Sequence, residues 1–301
     1  MGEVFSDSLP VISHSRDFEK VEVDNPKLDR DYIAGAVYEN NRNRIEKQWQ
    51  QFKPYADPDF LPELGRQFRR RMWEMNMGCL FLDSGFTLLP KKSADGPDLQ
   101  TQNFHIECVC PARGSGDFEV PLTSTEMKPI PKDLLKLRIA NALQEKEKQY
   151  SAWVENSTVS RDKPRIIAIN LGDLSAWSVM GHGHDDPSIV EEALFGFGDE
   201  EVHYDAKTFE VIRVSRAQRK SVPKGQSPVD LGFFLDNQHA SLSAVIGSQE
   251  MFVDPWDIEV LHNPYAANPV NQQELGMFKQ VTWEKKPKGL RRRLKPPVLD
   301  K

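Results

Sequence analysis

The run Arg165-Ile166-Ile167-Ala168-Ile169-Asn170 restricts the architecture more than any other stretch of the chain. It follows the break at Lys163-Pro164, and its four central residues are apolar without alternation. A strand of this kind is buried on both faces, the habit of a sheet covered by helices.

Two amphipathic helices are predicted ahead of it. Leu64, Phe68, Met72, Met75, Cys79 and Leu82 recur at helical spacing between Leu61 and Leu82, and Gly85 supplies a stop. The second helix covers Lys132–Val154, with Leu135, Ile139, Ala142, Leu143, Tyr150 and Trp153 forming its apolar stripe. Between the two, Phe86–Leu89, Asp98–Gln100 and Phe104–Cys110 read as short strands. The order is helix, three strands, helix, strand. The expected fold class is α/β, a central mixed sheet with flanking helices.

Residues 1–59 are polar and punctuated by Pro, Asp and Asn, with one helix expected over Tyr32–Phe52. They read as an N-terminal appendage to a core at 60–172. Residues 173–301 read as an extension of the same domain, adding strands to the same sheet. Ile189–Leu194 suits a short helix there, and Val211–Val214, Ser241–Ile246 and Ile258–Leu261 suit strands.

Chemistry concentrates around two acids. Asp98 follows a Gly96-Pro97 turn, and Glu107 lies nine residues on, within Phe104–Cys110. Strand alternation puts His105 and Glu107 on one face, with Phe104, Ile106 and Cys108 on the other. An in-register hairpin brings Asp98 beside Glu107, and two such carboxylates suit a hard cation such as Mg²⁺ or Mn²⁺. The ordinary alternatives are a turn residue at Asp98 and a solvent-facing strand position at Glu107. Glu74 flanks the apolar stripe of the first helix, as an accessory acid or a rim partner of Arg70 or Arg71. Lys146 falls within the apolar stripe of the second helix, where a lysine is rare unless paired or functional, or snorkels to solvent. Arg138 and Gln149 run along one edge of that stripe.

Composition narrows the class. The chain has 301 residues, 28% of them charged, and a net charge of −6, so it is not globally basic. Local basic clusters remain: Arg66, Arg69, Arg70 and Arg71 on the first helix, and Lys285, Lys286, Lys288, Arg291, Arg292, Arg293, Lys295 and Lys301 in the tail. These suit phosphate contacts or, equally, a polar helix face and a solvated disordered tail. No apolar run reaches the length of a membrane span, and the first residues lack the pattern of a secretory signal. Three cysteines, Cys79, Cys108 and Cys110, fit a reducing, cytoplasmic setting and small buried hydrophobes better than a disulfide framework or zinc. Two rival sites stand out: His182 and His184 with Asp185 and Asp186, as transition-metal ligands, and His262-Asn263-Pro264, which also suits a plain turn.

The element order, with Glu74, Gly96-Pro97-Asp98 and Ile106-Glu107, resembles the PD-(D/E)XK, or restriction-endonuclease-like, nuclease core over roughly Leu61–Gly172. The resemblance implies an Mg²⁺-dependent phosphodiesterase acting on nucleic acid, DNA first, with Asp98 and Glu107 on the metal and Glu74 assisting. It also implies a lysine two residues after Glu107, where this chain has Val109. In this superfamily the following helix can supply that lysine, which matches Lys146. His105 is then expected to orient a ligand or contact phosphate, and Arg138 and Gln149 to position the scissile phosphate. No membrane partner is expected, and a homodimer is open. The alternative is a catalytically inactive binding module for nucleic acid or protein on the same scaffold.

Overall fold

The computed structural model describes residues 4–5, 28–91, 95–121, 130–174, 186–225, 227–250, 255–286 and 289–298, with backbone alone at 285–286 and 289–291. The N-terminal half carries α1 (Arg30–Val37), α2 (Glu39–Phe52), α3 (Phe60–Leu64) and α4 (Phe68–Asp83). The short strands β1 (Leu99–Gln100) and β2 (His105–Val109) follow, then α5 (Lys132–Glu155) and β3 (Arg165–Asn170). Beyond these come α6 (Ile189–Phe195), β4 (Phe197–Tyr204), β5 (Val211–Gln218), β6 (Ser221–Val222) and β7 (Val229–Asp230). The chain ends with β8 (Ala244–Ser248), β9 (Glu259–His262), β10 (Lys279–Lys286) and β11 (Gly289–Lys295).

Seven strands form one mixed sheet in the order β1-β2-β3-β8-β9-β10-β11. Strands β2, β3 and β8 run parallel, with α5 joining β2 to β3 and α6 lying between β3 and β8 in the chain. Side-chain alternation divides the core in two. Phe104, Ile106, Cys108, Ile166 and Ala168 pack with residues of α1–α4, while Ile167, Ile169 and Val245 pack with α5 and α6. The result is an α/β protein with helices on both faces of the sheet, and β3 is buried at every position, as its composition demands. Among the described residues no helix is long and apolar enough to cross a membrane.

Several sequence expectations are corrected. The single helix over Tyr32–Phe52 is two, because Tyr38 leaves helical geometry at φ −83°, ψ 114°. The helix over Leu61–Leu82 likewise splits into α3 and α4 around Gln67 (φ −134°, ψ 55°). Apolar periodicity runs through both breaks, so it cannot reveal them. Phe86–Leu89 is not a strand, although the Leu89 amide donates to the Gln100 carbonyl at 2.8 Å. Val211–Val214 belongs to a strand paired with β4 in a separate two-stranded ribbon, not to the main sheet.

The described part of the basic C-terminal stretch is strand, where a solvated disordered tail was one of the readings. It forms the antiparallel pair β10–β11 at the sheet edge. Arg292 makes a two-pronged pair with the buried Glu191 (2.7 and 2.6 Å), and Arg293 pairs with Glu284 at 2.8 Å.

Helix α4 crosses α2 at close range through Gly78. A Cβ built there would lie 2.4 Å from the Phe52 ring. Alanine ordinarily stabilises a helix interior by about 1 kcal/mol over glycine, yet overpacking a core costs about 1–3 kcal/mol. Gly78→Ala is therefore expected to lower unfolding free energy by up to about 2 kcal/mol in urea melts, from the balance of those effects. Phe52→Leu in the same chain should make the double variant less destabilised than the two single losses together, the mark of contacting sites.

Candidate active site

The site lies at the edge of the sheet, where β1 stops short. Leu99 pairs with Ile106 and Gln100 with His105 in antiparallel register, and one further step of that register would set Asp98 opposite Glu107. The ladder does not continue; instead the Asp98 carboxylate takes the place of a strand, accepting the Cys108 backbone N–H on Oδ2 at 2.9 Å. Its other oxygen accepts from Lys91 Nζ at 3.2 Å.

Glu107 points to the α5 side of β2. There Lys146 Nζ lies 2.5 Å from Glu107 Oε1 and donates to Gln149 Oε1 at 3.0 Å. The lysine in the apolar stripe of α5 thus does not snorkel away; it is buried with its amine on the strand acid. Arg165 holds the helix at that point, donating from Nη2 to the Lys146 carbonyl at 2.5 Å and stacking on Tyr150 at 4.3 Å.

Glu74 reaches the cluster from α4, on the opposite face of the sheet. It is 1% exposed and accepts from Arg71 Nη1 at 2.8 Å. Arg71 also pairs with Asp57 (3.0 Å) and with Glu63, and Lys91 stands 3.8 Å from Asp57. The pairing of Glu74 with Arg71 is inside the protein and not at a rim.

Electrostatics follow from this crowding. Burial raises the carboxyls of Glu74 and Glu107 above the usual range, and in each case the nearby Asp98 charge pushes further in the same direction. Lys91 and Arg71 oppose the rise at Glu74, and Lys146 and Lys91 oppose it at Glu107. Burial alone would depress Lys91, but Asp98, Glu74 and Asp57 hold its ammonium above the ordinary lysine value. The acids Asp57, Glu63, Glu74, Asp98 and Glu107 outnumber their ion-pair partners Arg71, Lys91 and Lys146. Among the described residues, Glu74 Oε1 and Glu107 Oε2 are buried without a hydrogen-bond partner. An excess of buried carboxylates with unsatisfied oxygens is the donor set a hard divalent cation takes. No three His, Cys, Asp or Glu side chains among the described residues converge tightly enough to enclose a metal by themselves.

A cleft of about 620 Å³ opens at Lys146, lined by Arg70, Val109, Arg138, Glu145 and Gln149 among others and by none of the three acids Glu74, Asp98 and Glu107. Lys146 belongs to both the cleft and the buried cluster. Arg138 is half-buried and donates to the Phe118 carbonyl. Arg70 is half-exposed, but the other arginines of its cluster differ. Arg71 is consumed inside, and Arg69 pairs with Asp31 (2.6 Å) and Asp173 (3.0 Å).

The remaining candidates fall elsewhere. His182, His184 and Asp185 lie outside the described residues, while Asp186 pairs with Arg216 at 3.1 Å. His262 is buried against Gln280 (2.5 Å), and Asn263 Oδ1 accepts the Tyr265 amide at 2.9 Å, an Asx turn. The three cysteines are free and burial raises every thiol; Cys79 and Cys108 are small buried groups, while Cys110 is half-buried in the cleft wall. Asp57, Lys91 and Arg165 were not anticipated. Asp57 preceded a proline and read as punctuation; Lys91 sits in a loop without periodicity, its one signal being closeness to Gly96-Pro97-Asp98. Arg165 opens the central strand, and its charge beside an apolar run was the available clue.

His105 is 4% exposed, with Nδ1 lacking a partner among the described residues. Burial, aided by Lys163, lowers its pKa from the ordinary 6.5 to about 4. It is neutral at pH 7 and offers no positive charge to a phosphate. Between those two values the unfolded chain binds a proton that the native protein refuses, so stability rises with pH through this window and is lost as pH falls through it. His105→Leu is expected to remove about 2 kcal/mol of the difference between urea stabilities at pH 7 and pH 4.5. An unchanged difference would contradict the buried neutral state.

No family model, no curated protein and no solved structure matches this chain.

Proposed function

We infer that the protein is a metal-dependent phosphodiesterase with a restriction-endonuclease-like core, acting on nucleic acid, DNA first. The observation that carries this reading is the 2.5 Å contact of Lys146 Nζ with Glu107 Oε1. The lysine that the motif wants at Val109 comes instead from α5 onto the same carboxylate. The order α4–β1–β2–α5–β3, with Glu74 on α4, keeps the two helices and three of the four strands that the resemblance calls for, without the strand expected over Phe86–Leu89.

Asp98 and Glu107 are the residues that would hold Mg²⁺ or Mn²⁺, with Glu74 assisting. Mg²⁺ needs only one or two carboxylates beside its waters and phosphate oxygens. When bound, such an ion polarises the phosphate and lowers the pKa of its water. The protein's own groups supply the rest. Lys146 places a fixed ammonium where charge develops on the attacked phosphate, and Gln149 orients that ammonium through its amide oxygen. Arg138 and Arg70 line the cleft that leads to Lys146 and give its wall positive charge for a phosphate backbone. Burial of the acids keeps these interactions strong by excluding water.

A second reading is a nuclease-fold binding module without cleavage. The internal pairing of Asp98 and Glu107 with lysines favours it, since the cluster is already largely neutralised. It predicts DNA retention that depends on salt and on Arg70 and Arg138 but not on Asp98 or Glu107.

The test is incubation with plasmid and single-stranded DNA in Mg²⁺ or Mn²⁺, with EDTA as control. Cleavage is expected, abolished by EDTA and reduced about a hundredfold or more by Lys146→Met, the scale for losing one preorganised donor. Asp98→Ala should abolish it. Wild-type protein that cuts no more than Asp98→Ala would defeat the nuclease reading and leave the binding module.

A further inference from the structure

Both oxygens of Asp98 are engaged. Oδ2 holds the Cys108 amide of a sheet strand, which cannot move without breaking the fold, and Oδ1 holds Lys91. The Lys91 side chain is 6% exposed, and its only other acidic neighbour among the ion pairs is Asp57 at 3.8 Å. Its backbone is fixed, the amide donating to the Tyr55 carbonyl at 3.2 Å, so what can swing is its four-carbon stem. Glu107 and Glu74 differ from Asp98 in each having one oxygen unsatisfied. Each of the three acids thus carries a cation, Lys91 on Asp98, Lys146 on Glu107 and Arg71 on Glu74, but Asp98 differs in having no oxygen to spare.

We propose that Lys91 is the resident counter-ion of Asp98 and competes with a divalent cation for that carboxylate, leaving it when the cation binds. This rests on the reading of the cluster as a divalent-cation site. With Oδ2 on the Cys108 amide, Asp98 has for a metal the one oxygen that Lys91 holds, whereas Glu107 keeps Oε2 beside its own lysine. The metal-free cluster keeps its countercharge through Lys91, and the ion is taken up weakly because it must displace a buried ammonium.

Mn²⁺ binding to the full chain, followed by electron paramagnetic resonance of the free ion, tests this without reading activity. Lys91→Gln is expected to bind Mn²⁺ at least about tenfold more tightly than wild type, the direction that loss of a repelling charge demands. Lys91→Arg, which keeps the charge, should not. A measurement on the unaltered protein avoids dependence on how well a variant folds. Acylation of Lys91 by an amine-reactive reagent, read by peptide mass spectrometry, should rise several-fold when Mn²⁺ is added. Equal Mn²⁺ affinities, or Lys91 acylation unchanged by Mn²⁺, would overturn the competition alone and leave the cleavage reading in place. Absence of Mn²⁺ binding to wild type and Lys91→Gln alike would remove the metal site and this proposal together.

Discussion

The fold at this end of the sheet depends on a carboxylate standing where a strand should be. Strand β1 is two residues long, so the C-terminal half of β2 would leave its edge N–H groups without partners. Asp98 satisfies the Cys108 amide, and because it is buried it needs countercharge. Lys91 supplies it and is itself drawn to Asp57, which shares Arg71 with Glu74. Removing one member of such a chain leaves an uncompensated buried charge, a loss of about 3–5 kcal/mol in comparable pairs. The structural role and the proposed chemical one therefore fall on the same side chains.

The short edge strand has a second consequence. In the middle of a sheet, residues on opposite faces are separated by the full thickness of the backbone layer. At the truncated edge, an acid from α4 on one face and an acid of β2 on the other both lie within electrostatic reach of Asp98. Glu74 arrives from one side and Glu107 with Lys146 from the other, and Asp98 acts electrostatically on both acids. This geometry concentrates negative charge in the interior while α4 and α5 present Arg70 and Arg138 along the adjoining cleft. A chain with a net charge of −6 thus carries a locally basic approach to a buried acidic centre.

Much of this was legible because it rests on periodicity. The apolar run at 165–170 and the stripe of α5 have the structure's bounds almost to the residue, since burial on two faces or on one helical face leaves a direct mark on composition. Lys146 stood out for the same reason, as a charge in an apolar stripe. The separate ribbon of β4 and β5 was illegible as a pairing because Asp199, Glu200 and Glu201 carry no strand signal and the pair is largely exposed. The β10–β11 pair hid behind its charges: Arg292 is needed to neutralise the buried Glu191, a partner some hundred residues away that no local pattern announces. Lys91 and Asp57 share that difficulty. Their roles come from tertiary proximity, and loops have no period to betray it.

Val109 is the departure that most tests the meaning of the site. An ammonium stabilises charge by where its nitrogen stands, not by which element carries it, so a lysine moved from strand to helix keeps its effect if the nitrogen reaches the same carboxylate. What a strand position offers is rigidity, and α5 has its own source of that. Arg165, stacked on Tyr150 and bonded to the Lys146 carbonyl, pins the helix backbone directly to the first residue of β3. Since β3 pairs with β2 in register, with His105 opposite Arg165 and Glu107 opposite Ile167, the amine and the acid are fixed to one frame. The valine in turn fits its own place, lying against the apolar residues under α5 at the mouth of the cleft, where a second lysine would crowd another charge beside Lys146. On the proposed nuclease reading, exchange of the two positions would be a rearrangement of one site, with the charge carried by the helix and the apolar wall by the strand.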